Sequence, residues 1–160
     1  MSDRTYTRFT LPMPALRDQA TVVTALRILD IPHDQWLALQ AATPTDGEAA
    51  GHDCTAIRTI EGVPCLVVED SDDNYGGTAT ENALIEAGIP FIQVNGAGDE
   101  YGPTSTVFDG TNSETIRIDH DFEPVVAAGL LHGRVCADQR ELADLARYLG
   151  IRNAVLHPKS

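Results

Sequence analysis

Three stretches of the chain share one pattern of apolar and polar positions: TALRILDIPHDQWLAL (24–39), ENALIEAGIPFIQV (81–94) and ELADLARYLGIRNAVL (141–156). In each, apolar residues recur at helical spacing, then come Asp or Gly, then Ile, then a further run. The pattern predicts three helix-to-strand joints. Gly88 and Gly150 stand where a helix C-cap needs positive φ, and Asp30 takes that place less comfortably. Pro32 and Pro90 forbid helical continuation.

A strand is expected before each joint. TYTRFTL (5–11) alternates, with Thr7, Phe9 and Leu11 on one face; VPCLVV (63–68) is a continuous apolar run, as in a strand covered on both faces. EPVVAAG (123–129) is weaker and is equally a helix start. TAIRTI (55–60), STVFDG (105–110) and ETIRID (114–119) read as further strands, the last two as a hairpin around Asp109, Gly110 and Asn112. The polar stretch TPTDGEAAGHD (43–53) reads as a flexible loop or a boundary within the fold. The expected fold class is α/β (α+β): one domain over 1–160, β-α-β units, and a mixed sheet with helices packed on it. A ferredoxin-like arrangement of the first two units is favoured.

Composition narrows the function classes. Hydrophobic residues make up 42% of 160, enough for a core. MSDRTYTRFT has no apolar h-region, so no signal peptide is expected, and VVAAGLL (125–131) is too short to span a bilayer. Cys54, Cys65 and Cys136 form no CxxC pair, which suits reduced thiols and a cytoplasmic location. The 24 acidic residues face 11 basic ones, and the imbalance is local: residues 1–40 carry no net charge, 41–123 carry −15, and 124–160 carry +2. Such a field repels nucleic acid and membranes and attracts cations and basic protein surfaces. Solubility, or a source with an Asp-rich, Lys-poor bias, accounts for the total but not for its concentration in the middle.

The densest acidic stretch is EDSDDNYGGTATE (69–81). Counted from Asp70, the residues Asp70, Asp72, Asn74 and Glu81 fall at positions 1, 3, 5 and 12, where a calcium loop of the EF-hand kind places oxygen ligands. Tyr75 stands where that loop needs Gly, and a strand precedes it. Thr78-x-x-Glu81 is also a helix capping box, which explains Glu81 without calcium or magnesium. A second stretch, NGAGDEYG (95–102), repeats the acidic-Tyr-Gly theme. If strands 63–68 and 89–94 run parallel, both stretches leave one edge of the sheet, where open α/β sheets bind ligands. Asp70, Asp72, Asp73, Asn74, Tyr75, Asn95, Asp99, Glu100 and Tyr101 would then form one acidic, aromatic patch.

Other chemistry is sparser. His120, in phase with Ile116 and Ile118, is a candidate ligand or base beside Asp119 and Asp121, though such a histidine is more often hydrogen-bonded in place. His52-Asp53-Cys54 lacks an oxyanion donor, and Cys65 reads as core. There is no P-loop, GxGxxG, HExxH or basic-aromatic interleaving. The expectation is a non-enzymatic acidic protein that engages a basic, nucleic-acid-binding protein as inhibitor or regulator. The alternatives are a metal-dependent enzyme or module (calcium, magnesium or manganese at Asp70, Asp72 and Asp99) and a small-molecule sensor.

Overall fold

A computed structural model describes residues 4–46, 55–74, 77–96, 102–119 and 121–158. The chain order is β1 (Arg4–Pro12), α1 (Gln19–Ile28), α2 (His33–Ala41), β2 (Thr45–Asp46), β3 (Thr55–Ile60), β4 (Val63–Asn74), α3 (Thr78–Ala87), β5 (Phe91–Asn95), β6 (Thr104–Phe108), β7 (Ser113–Arg117), β8 (Ala128–Leu131), β9 (Arg134–Ala137) and α4 (Gln139–Leu156). The fold is mixed α and β: β2-β3-β4-β1-β5-β6-β7 form one sheet, and β8-β9 a separate pair. Only β2 pairs parallel, with β3; the other neighbours are antiparallel. β1 lies between β4 and β5, so the α3 crossover skips one strand. The sheet extends past the four central strands β3-β4-β1-β5 by β2 on one side and β6-β7 on the other.

The alternation of β1 explains how both faces are covered. Phe9 and Leu11 point to one side, into a core with Leu26, Trp36, Leu84 and Phe91 under α1, α2 and α3. Cys65, Val67, Ile92 and Val107 point to the other, into a second core with Tyr148, Val155 and Leu156 of α4. Each large side chain fully buried this way contributes about 1.5–3 kcal/mol. Central strands covered on both faces read as near-continuous apolar runs, and β5 is buried from Phe91 through Val94. Among the described residues no helix is long and apolar enough to cross a membrane.

The second joint forms as expected: α3 ends at Gly88, φ 69°, and β5 follows Pro90. The first does not. After Asp30, at φ 57°, Pro32 becomes the N-cap of α2 instead of opening a strand. Proline ends one helix but is favourable at the start of the next. In the third, α4 runs through Gly150 for 18 residues. No proline stands two residues after that glycine as Pro90 does after Gly88, and Tyr148 and Val155 lie on the helix's buried side. The uncertain stretch at 123–129 starts no helix: Ala128 and Gly129 open β8, in the separate two-stranded pair and outside the main sheet. Pro124 bridges to Ile118, and β8 turns into β9 through His132 and Gly133, both at positive φ. The β3–β4 hairpin uses the same two-residue form at Glu61 and Gly62. Thr45 and Asp46 of the expected loop at 43–53 join the sheet edge, where Arg58 Nη1 donates to Thr45 Oγ1 at 2.8 Å.

Candidate functional site

The acidic stretch is a strand before it is a loop. Asp70, Asp73 and Asn74 pair with Thr7, Thr5 and Arg4 of β1, with an extra residue bulged into β4 between Asp70 and Asp73. Asp, Ser and Asn are poor strand formers, so this segment is extended because β1 supplies a partner. β5 stops at Thr7 of β1, opposite Asn95. Beyond that level the acidic backbone continues with β1 as a two-stranded ribbon. Extended backbone spans about 10–13 Å over these residues. Asp70, Asp72 and Asn74 therefore lie along extended backbone and not within a tight turn.

Glu81 lies in the first turn of α3, half-buried, and burial pushes its carboxyl above the usual range. The N-cap of α3 is Gly77, in the left-handed region, with no side-chain cap. The Thr78–Glu81 box therefore sits one residue too late. Among the described residues no three His, Cys, Asp or Glu side chains are grouped to hold a metal.

β4 and β5 are both antiparallel to β1, so they run in the same direction and end at the same edge of the sheet. Asn95 belongs to that edge, and its Oδ1 accepts from Thr7 Oγ1 at 3.3 Å and Gln93 Nε2 at 3.2 Å. Tyr75, Asp99, Glu100, Tyr101 and His120 lie outside the described residues, as do His52, Asp53 and Cys54. Of Asp70, Asp72, Asp73 and Asn74, the structure describes the backbone.

Immediately inside this edge is a cluster that no sequence motif announces. Arg8 and Glu69 are opposite each other in the β1–β4 register, and their exposures are only 4% and 6%. Tyr6 Oη donates to Glu69 Oε1 at 2.7 Å. The phenol is pushed up to about 12, first by burial and then by that hydrogen bond, with Arg8 acting the other way. The Tyr6 ring stacks on Phe122 at 5.7 Å between centroids, and the Arg8 guanidinium sits 5.3 Å from the centre of the same ring.

Phe122 has φ 64°, a costly conformation for a bulky residue. A compact turn imposes it. Phe122 N donates to Asp119 O, Asp119 N to Glu123 O, and Asp119 Oδ1 accepts from the amides of Asp121 and Glu123. Between Phe122, the sheet and α4 runs a groove of about 650 Å³. Arg8, Thr10, Ile92 and Val94 form its sheet wall, and Leu149 and Arg152 face it from α4. Deeper in, Ser105 and Tyr148 share a hydroxyl–hydroxyl bond of 2.6 Å.

The only sequence sign of this site is the in-phase set Tyr6, Arg8 and Thr10 on the face of β1 opposite Phe9. That set reads as solvent-facing until α4 is known to cover it. In comparisons with family models, curated proteins and solved structures, none matches this chain.

Proposed function

We propose that the chain is a non-enzymatic acidic binding protein that engages a basic protein surface through the sheet edge where β4 and β5 end. The observation that carries this reading is the shared direction of those two strands, combined with the charge of residues 41–123. β4 ends there with Asp70, Asp72, Asp73 and Asn74 and β5 with Asn95, and in the chain Asp99, Glu100 and Tyr101 follow Asn95 within six residues. Concentrated negative potential steers a basic partner and raises its association rate, while aromatic anchors such as Tyr75 and Tyr101 slow dissociation. A protein that itself binds nucleic acid owns a surface of this kind, so inhibition by occupying that surface is the proposed mode of action.

The test is capture of partners from native lysate at low ionic strength, followed by release along a salt gradient. Binding is expected to weaken steeply between about 0.05 and 0.5 M salt as the Debye length shrinks. Reversal of Asp72 and Asp73 to Lys is expected to lower the association rate more than it changes the dissociation rate. An affinity indifferent to salt and to both reversals rejects the reading.

A further inference from the structure

We propose that the groove between α4 and the sheet binds a small amphipathic carboxylic acid, with the carboxylate on Arg8 and the apolar body along Ile92, Val94 and Leu149. This site lies on the α4-covered face of the sheet, inside the acidic edge, and does not depend on the protein-binding role. Its volume, about 650 Å³, is within the range of organic-ligand sites.

Three features select the ligand. First, the buried polar groups of the lining are Arg8, Thr10, Ser105 and Tyr148: one cation and three hydroxyls, with no buried carboxylate. Glu69 is buried but does not line the groove. Donor-rich, low-dielectric walls favour an acceptor, and a guanidinium fork matches a carboxylate in shape and charge. Second, the acids near the groove sit differently: Asp121 and Glu123 are exposed, and Glu61 is paired with Arg152. Exposed charges are screened by solvent, so among the charged groups that line the groove the Arg8 guanidinium is the least screened, with Glu69 behind it on β4. Third, Phe122 is held in a strained conformation over Arg8, and strain of this kind concentrates at ligand clamps. The ring, already stacked on Tyr6, adds apolar surface to the groove lining beside the guanidinium.

The test uses three probes of one shape: 2-naphthoate, neutral 2-naphthamide and cationic 2-naphthylmethylammonium. Binding is followed by amide chemical shifts of the whole chain. Saturable shifts at Arg8, Ile92, Val94 and Leu149 are expected with naphthoate, and at least about tenfold weaker binding of the other two probes, since a lost charge-assisted pair is worth that much or more. Arg8→Met is expected to reduce naphthoate binding to the level of the amide. Because Arg8 is buried, that variant could fail to fold, so a second substitution is used. Leu149 is 49% exposed on α4, and Leu149→Trp fills the groove from outside and is expected to abolish the shifts. Equal binding of the three probes, shifts confined to other surfaces, no saturation at millimolar naphthoate, or undiminished binding to Leu149→Trp each overturns the proposal.

Discussion

Tyr6 shows how much one residue's neighbours decide. By pattern it is an unremarked position in a strand; in the fold it donates to a buried carboxylate and stacks on Phe122. Its phenol keeps its proton to about 12, because burial, and then Glu69, disfavour the anion more than Arg8 favours it. An unfolded chain loses that proton near 10, so the folded state binds it more tightly. The resulting stability is fully present below about pH 10 and is lost as pH rises toward 12; solvent screening of a half-buried group limits it to roughly 2 kcal/mol. Tyr6→Phe should flatten this part of the profile, as read from urea midpoints on either side of about pH 10. At neutral pH the same substitution leaves Glu69 without its phenol donor and should cost about 1–3 kcal/mol. Cys65 stands at the opposite extreme: an apolar run predicted it as core, and it is fully buried. Arg8 and Phe122 were not legible, since one needs a covering helix and the other a turn held by distant bonds.

At the scale of elements, Gly88 and Gly150 look alike, each following a helical run and preceding Ile, and only Pro90 after the first marks a difference. Gly88 does cap α3 at φ 69°, while Gly150 lies inside α4. A Cβ at either meets nothing within 4 Å, so backbone conformation alone sets the effect of alanine. Gly88→Ala should destabilise by about 1 kcal/mol, because an L residue is strained in the left-handed region. Gly150→Ala should stabilise by about 0.5–1 kcal/mol through helix propensity. Thermal unfolding of the two variants reads both signs, and equal signs would contradict the assignment of α4 as continuous. The β8–β9 hairpin carries a local signal in His132-Gly133, two residues ending in Gly between short runs, as also at Glu61-Gly62. The hairpin at Asp109 was predicted because Asp109 and Asn112 are conspicuous turn formers, and Asp109 Oδ1 does accept from the amides of Thr111 and Asn112.

For the molecule as a whole, a formal charge of −13 means self-repulsion within one small fold. The exposed pairs Arg117–Glu141, Arg147–Glu114 and Arg152–Glu61 tie α4 to the sheet side, but surface pairs contribute little each. Repulsion should therefore outweigh attraction. The melting temperature is expected to rise between about 0.02 and 0.3 M sodium chloride, as the Debye length falls from beyond 20 Å to under 6 Å. A fall over that interval would mean that the ion pairs outweigh the repulsion. Because this effect acts on folding, it must be measured beside the partner-binding experiment, where salt acts in the opposite direction.

The sequence by itself determined the local features of this protein: the alternation of β1, the apolar runs of β4 and β5, the α3–Gly88–Pro90 joint, the Asp109 hairpin and the acidic middle. These depend on residues a few positions apart, whose periods and turn chemistry act before any tertiary contact forms. Only the tertiary structure decided that β1 is central between β4 and β5, that α4 covers the face bearing Arg8, and that Tyr6 meets a carboxylate 63 residues away. Burial of a polar side chain depends on what covers it, and here the covering helix begins more than 130 residues after Arg8.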